Sequence, residues 1–108
     1  MTIDPGTFRD LKASAGEEFV HELVGTFLED APGLLMELRD AWDAKSPERF
    51  RRAAHSLKSN GETFGAADFA RLARELELGG LPDNGSALDA LQRSYDAAAM
   101  ALRDLCRG

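Results

Sequence analysis

The feature that most constrains the fold is an apolar periodicity that runs from Phe19 to Trp42. Over this segment apolar side chains recur every three or four residues, which places them along one side of an α-helix for about six turns. The composition agrees, because Ala and Leu supply 17 and 15 of the 108 residues, whereas Val and Ile together supply three. Sheets favour β-branched residues, so the sequence predicts an all-helical fold.

Prolines, glycines and capping side chains divide the rest of the chain into further helices. Asp4-Pro5 and Ser46-Pro47-Glu48 are typical of helix starts, because the polar side chain can cap free amides and the proline loses no hydrogen bond. Gly65 and Gly79-Gly80 are typical of helix ends. Ser86 follows a run of turn residues and is predicted to cap the last helix.

Two local predictions concern the long helix. Ser14 and Glu17 have the spacing of a capping box, which predicts where this helix begins. Pro32 cannot donate to the carbonyl of Leu28, but the periodicity keeps its phase across the proline, which indicates one kinked helix. The chain is thus predicted to be a single domain over residues 1–108, an antiparallel four-helix bundle with a short additional N-terminal helix.

Charge, cysteine content and hydropathy exclude several classes of protein. The net charge of −6, without a basic tract, argues against a nucleic-acid partner. A single cysteine, Cys106, excludes an internal disulfide and any multi-cysteine metal centre. No apolar run approaches the ~20 residues that a membrane span needs, and no signal peptide is recognisable. No helix is apolar on two faces, so we expect a monomer. Without a membrane span or signal peptide we expect a cytoplasmic protein with no membrane partner, and the starting Met and complete set of helices favour a free-standing one.

His55 is the residue that stands out chemically. On a helical projection its ring lies opposite the apolar side of its helix and centres the outward face. The segment 46–59 carries four cations against one acid, and Arg51, Arg52 and Lys58 lie within a turn of His55. Nearby cations disfavour the imidazolium form and attract anions, as a phosphoryl-accepting histidine requires. The same pattern also fits an ordinary exposed histidine on a solvated face.

His21 serves as an internal comparison. It lies among Glu17, Glu18 and Glu22, which favour its protonated form and argue against a nucleophilic role. A zinc site built from His21, His55 and Cys106 would lack any known ligand spacing, so no metal ligands are assigned.

The run from Ala54 to Ala66 resembles the signature of histidine-containing phosphotransfer (HPt) domains. The matching positions are Ala54, His55, Leu57, Lys58, Ser59 and Gly65-Ala66. The segment 27–32 with its proline resembles the family's preceding helix, and the segment 72–77 resembles the helix that follows.

The resemblance implies a four-helix bundle in which His55 accepts a phosphoryl group. It implies that Lys58 neutralises the phosphoryl oxygens and that Ser59 lets a partner dock. Glu77 matches a position where members often have a polar residue near the ring, and Gly61 replaces the family's frequent Ser. Together with Arg51, Arg52 and Glu62, these residues form the predicted phosphoryl-stabilising and docking set.

The resemblance further implies which molecules take part. The partners would be response-regulator receiver domains and an upstream sensor histidine kinase. The chain itself would need no cofactor, since Mg²⁺ would come from the receiver. It has no glycine-rich nucleotide loop, so we expect a phosphoryl carrier without autokinase activity, not an enzyme.

Two alternatives stay open at this stage. A non-catalytic helical adaptor could share the bundle and carry a solvated His55, because fold does not specify function. An enzyme using His55 as general base would need a partner carboxylate or a concave pocket, and a convex helix face offers neither clearly.

Overall fold

The computed structural model describes residues 2–107, which form five helices and no strand. The helices are α1 (Pro5–Ala15), α2 (Glu17–Asp43), α3 (Pro47–Thr63), α4 (Ala67–Gly79) and α5 (Ser86–Arg107). Each helix packs on the next along the chain, and α5 also contacts α2, so that α2 to α5 close into a bundle. The predicted all-helical bundle with an extra N-terminal helix is confirmed. None of the helices within residues 2–107 has the length and apolar character of a membrane span.

The predicted start of α1 and the ends of α3 and α4 are confirmed. Asp4 accepts hydrogen bonds from the Gly6 amide at 3.3 Å and from the Thr7 hydroxyl at 2.6 Å, so its carboxylate caps α1. Gly65 and Gly80 adopt φ angles of 72° and 76°, which only glycine adopts at little cost. The Asp4 amide also donates to the Gly65 carbonyl at 2.9 Å, so the N-terminal segment ties down the turn between α3 and α4.

The predicted capping box at the start of α2 is wrong. The Ser14 hydroxyl donates to the Asp10 carbonyl at 2.6 Å and therefore lies inside α1. The residue that precedes α2 is Gly16, whose φ of 91° separates the two helices without a side-chain cap. Serine hydroxyls within a helix often donate in this way to a backbone carbonyl one turn earlier, and the Ser14 hydroxyl is then not available to cap α2.

The starts of α3 and α5 are correctly located, but serine caps neither. α3 begins at Pro47 as predicted, and the Ser46 side chain makes no capping bond. Ser86 is itself the first residue of α5, and its amide donates to the Asn84 side chain at 2.9 Å. The prediction that Ser86 is the cap is therefore wrong, and the turn residue Asn84 takes that role.

α2 passes through Pro32 as one helix, as the unbroken periodicity predicted. The Leu28 carbonyl, which Pro32 cannot serve, accepts a long hydrogen bond of 3.4 Å from the Tyr95 hydroxyl on α5. A side chain of the neighbouring helix thus partly replaces the missing bond. The predicted kink itself stays a prediction.

α3 and α4 pack closely at Gly61, next to the site described below. A Cβ atom on Gly61 would lie 2.8 Å from Phe69 Cδ2 and 3.2 Å from the Ala70 amide nitrogen, both on α4. A larger residue would push the helices apart. Because Gly61 has no side chain, side chains one or two turns earlier on α3 reach α4 directly.

Candidate functional site

His55 lies in the middle of α3 with its side chain 57% exposed. Its neighbours Ala54 and Leu57 are fully buried, so the helix is anchored on its inner side while the ring faces outward. The predicted orientation of α3 is confirmed by the burial of Phe50, Ala53, Leu57, Gly61 and Phe64. The ring therefore has a fixed backbone and an open approach.

Glu77 of α4 holds one edge of this ring. Its Oε2 lies 2.7 Å from His55 Nδ1, and its side chain is only 13% exposed. An ionised carboxylate can only accept hydrogen bonds, so Nδ1 carries the proton. In the neutral ring Nε2 then keeps a lone pair, and no residue within 2–107 forms a hydrogen bond with it.

Lys58 approaches the other oxygen of the same carboxylate. Its Nζ lies 3.1 Å from Glu77 Oε1, although the angle at this enclosed oxygen is poor for a hydrogen bond. The contact is therefore best described as a charge attraction across the α3–α4 interface. The hydrogen bond from His55 and, second, the interaction with Lys58 lower the pKa of Glu77 below its ordinary value. Both effects keep the carboxylate ionised.

The electrostatic setting of His55 differs from the sequence prediction. The nearest charge is the carboxylate of Glu77, not a cation, and the Lys58 ammonium is engaged with that carboxylate. What makes Nε2 available in the neutral ring is the choice of tautomer. Glu77 is also the partner carboxylate that the general-base alternative lacked, but the ring stands on a convex helix face.

The other predicted docking residues of α3 surround this group on the surface. Arg51 and Arg52 are exposed one turn before His55, and Ser59 and Glu62 are exposed one and two turns after it. Ser59 leaves little side-chain bulk beside the ring. These positions remain predictions for docking.

Gly61 does not belong to that surface. It is buried against Phe69 and Ala70 of α4, so a partner cannot contact it from outside. The expectation that Gly61 contributes to phosphoryl stabilisation or docking is corrected accordingly. A side chain at this position would meet Phe69 and Ala70 of α4.

Sequence reasoning missed two exposed residues beside Glu77 on α4, Arg74 and Leu78. Leu78 is 71% exposed. The available signal was helical spacing: Ala73 and Leu76 mark the buried side of α4, and Leu78 falls opposite them.

His21 and Cys106 lie on α2 and α5, whereas His55 lies on α3. They line a cavity of about 390 Å³ between α2 and α5, together with Arg103. The zinc site considered for His21, His55 and Cys106 is therefore not assembled. Within the part of the chain that the structure describes, no three metal-binding side chains cluster.

The sequence profile of the Hpt domain family matches residues 22–101. The crystal structure of histidine-containing phosphotransfer protein B (HptB) from Pseudomonas aeruginosa PAO1 is similar, with a TM-score of 0.90 and 22% sequence identity. That match covers 98% of this chain and 95% of the other chain. A search of curated proteins gave no match.

Proposed function

The chain belongs to the Hpt domain family, whose members are phosphocarriers of two-component systems, and from that premise we propose that Nε2 of His55 is the phosphoryl acceptor. The single observation that carries this proposal is the bond from His55 Nδ1 to Glu77. In the neutral ring, Nε2 is then unprotonated, and its lone pair is available on an exposed helix face. His55 would carry the group between aspartates of receiver domains, or between a sensor kinase and a receiver.

Phosphoryl transfer to Nε2 does not require the ring to lose its Nδ1 proton. The Nε2 lone pair attacks the phosphorus of an aspartyl phosphate, the N–P bond forms, and the P–O bond to the aspartate breaks. The ring, protonated on Nδ1, then bears positive charge, which the ionised Glu77 offsets at 2.7 Å. Transfer onward reverses these steps. Glu77 thus holds the reactive tautomer and balances the charge that develops.

Lys58 supplies a positive charge beside the acceptor, on the same carboxylate that His55 contacts. It lies one turn after His55 and is 21% exposed, with its ammonium on Glu77. Rotation of this flexible side chain would bring the ammonium to the phosphoryl oxygens when they arrive. Phosphoryl transfer depends chiefly on alignment and charge stabilisation, so a neighbouring cation fits this step.

The partner would provide the remaining parts. Mg²⁺ and an acidic pocket would come from the receiver, and Arg51 and Arg52 would help to attract it. Ser59 would leave room for its approach, and Glu62 would border the contact. A monomer acting in the cytoplasm agrees with this scheme and remains a prediction.

A labelling experiment tests the proposal. Receiver domains encoded in the same genome are phosphorylated with radiolabelled acetyl phosphate and mixed with the wild-type chain, His55→Gln and His21→Gln. The wild type and His21→Gln should gain acid-labile label, and His55→Gln should gain none.

Two results would contradict the proposal. One is label on His55→Gln equal to that on the wild type. The other is failure of every receiver to label the wild-type chain, which would favour the adaptor alternative.

A further inference from the structure

α2 and α5 border one continuous groove on the surface of the bundle. Two cavities of about 390 and about 500 Å³ lie between these helices and share Leu28 and Arg103. Along α2 the groove runs from His21 to Arg39, which is about 27 Å at the rise of an α-helix. Its lining residues within 2–107 all belong to these two helices, whereas the site around His55 lies on α3 and α4. The groove and the site therefore lie on different sides of the bundle.

The inner surface of the groove is mostly apolar. Tyr95 is buried at its floor, and Leu28, Pro32 and Met36 line the side formed by α2. Met36 is 66% exposed, and burial raises the pKa of the Tyr95 hydroxyl, as expected where water hydrates a group poorly. A Cβ on Gly25 would meet nothing within 4 Å, so the groove is open above this position. An open apolar groove between two helices is the type of surface that accepts a third helix.

The edge of the groove along α2 is negatively charged. Glu22 and Glu29 precede the lining residues Gly25 and Pro32 by three positions, so each glutamate lies next to the groove on the helix surface. Both are exposed, and neither forms an ion pair with a residue in the described range 2–107. These two glutamates form the acidic rim of the groove. On the other side Arg103 of α5 is exposed.

We propose that this groove binds an amphipathic helix of another protein, with an apolar stripe and a row of Lys or Arg along the edge that faces α2. The stripe covers Leu28 and Met36, and the cations face the acidic rim. A carboxylate on the other edge of the partner helix meets Arg103. The bound helix leaves His55 uncovered, because the groove lies on a different side of the bundle. The inference does not depend on whether His55 accepts phosphate.

Charge favours this occupant over two others. A second copy of the chain carries the same net charge of −6 and would bring its own acidic rim to the groove. An anionic membrane surface would be repelled by the same carboxylates. A basic amphipathic helix gains from both features of the groove, because apolar burial supplies affinity and opposite charges favour encounter and orientation.

Binding of a designed peptide tests the proposal. The probe is a fluorescently labelled peptide of about 18 residues, which spans the groove as a helix. It has leucine at every third or fourth position, lysine along one side of this stripe and one glutamate on the other. A scrambled peptide of the same composition keeps the charge but has no stripe. Fluorescence anisotropy measures the Kd of both peptides for the wild-type chain and its variants.

Two arginine substitutions on α2 form a matched pair. Gly25→Arg places a large cation in the groove. Gly33→Arg adds the same side chain at a position that lines neither cavity and where a Cβ would also meet nothing within 4 Å. Gly25→Arg should weaken binding of the patterned peptide by about tenfold or more, and Gly33→Arg should stay within about twofold of the wild type. Circular dichroism checks that both variants fold.

A second pair of variants tests the charge. Replacing Glu22 and Glu29 together by Lys should weaken binding of the patterned peptide more than the same change at Asp30 and Glu37. Asp30 borders α3, and Glu37 lies two turns further along the same side of α2, so this control changes the net charge equally but away from the groove. Labelling of His55 by phosphoramidate, a small phosphoryl donor, should be unchanged by bound peptide.

Several results would overturn the proposal. Failure of the patterned peptide to bind would show that the groove does not accept a helix, and equal affinity for the scrambled peptide would reduce the contact to general charge attraction. Equal losses in the two glycine variants, or NMR shift changes in α3 and α4 instead of α2 and α5, would place the peptide elsewhere. A dimer of the chain that the peptide dissociates would identify a second copy as the occupant.

Discussion

At His55, one hydrogen bond decides which ring nitrogen is available. Glu77 accepts a hydrogen bond from Nδ1–H, so the reactive lone pair of the neutral ring lies on Nε2. The carboxylate is itself fixed from its other oxygen by Lys58. A glutamine could accept the same bond from Nδ1 but would bring no charge, so tautomer and charge can be separated by mutation.

The first prediction separates those two roles. Glu77→Gln should keep phosphoryl acceptance at His55 but slow it, whereas Glu77→Leu should slow it further because the tautomer is no longer held. Rates of labelling by phosphoramidate measure the effect. Equal rates for the wild type and Glu77→Leu would show that the carboxylate does not contribute.

The second prediction concerns acid. Because the folded-state pKa of Glu77 lies below its ordinary value of 4.5, its contacts stabilise the fold fully above that pH. This contribution is lost as the pH falls through the lowered pKa. Between about pH 6 and about pH 3, the melting temperature of Glu77→Gln should therefore fall less than that of the wild type. Glu75→Gln, which removes an exposed carboxylate paired with Arg71, is the control. If the melting temperature of Glu77→Gln fell with pH in parallel with that of the wild type, the stabilising role of ionised Glu77 would be contradicted.

At the scale of elements, the site depends on how closely α3 and α4 approach. The missing side chain at Gly61 permits contact with Phe69 and Ala70, and the bridge from His55 to Glu77 spans the same interface. Glycine weakens a helix interior by up to ~1 kcal/mol relative to alanine. Close packing outweighs that cost here, because an added Cβ would meet backbone as well as a ring.

A pair of alanine substitutions tests this balance. Gly61→Ala should destabilise the fold by about 1–2 kcal/mol, since overpacking exceeds the gain in helix propensity. Gly33→Ala, at an exposed position of α2 where a Cβ would meet nothing within 4 Å, should instead stabilise by up to ~1 kcal/mol. Urea unfolding measures both changes. Stabilisation by Gly61→Ala would show that the interface can relax freely.

The contact between α5 and the proline of α2 gives a further test. Tyr95→Phe removes the donor to the Leu28 carbonyl and should cost about 0.5–1 kcal/mol, near the low end because the bond is long. In a Pro32→Ala background the helix supplies its own amide, so the same substitution should cost less. A double-mutant cycle of unfolding free energies that shows no coupling would contradict this account.

At the scale of the whole molecule, one helix serves both the core and the surface. Leu57 is fully buried and His55, two residues earlier, is exposed. Leu57→Asp would bury an unpaired charge and should abolish cooperative unfolding. His55→Ala should retain the fold. Circular dichroism melts measure both, and an unchanged melt for Leu57→Asp would contradict the assigned faces.

Periodicity predicted most of this architecture, because burying apolar side chains leaves few arrangements for helices of this length. It placed Leu57 inside and His55 outside, and kept α2 continuous through Pro32. It misplaced the caps near Ser14 and Ser86, because several neighbouring polar groups compete for the same amides.

The site was predicted less completely than the fold. Spacing along α3 cannot show which side chain of α4 faces the ring, so the resemblance alone suggested Glu77. The engagement of Lys58 with that carboxylate and the burial of Gly61 depend on the distance between two helices. Local sequence does not encode that distance.

The tie between the N-terminal segment and the α3–α4 turn affects how shorter versions of the chain should behave. The family profile begins at residue 22, so trimming to that boundary removes Asp4, which donates to Gly65, and Thr7, which packs against it. Ile3 and Phe8, both nearly fully buried, would leave the core as well. A fragment that begins at residue 22 would thus keep His55 but lose the contacts that hold the turn between α3 and α4, the two helices that carry His55 and Glu77.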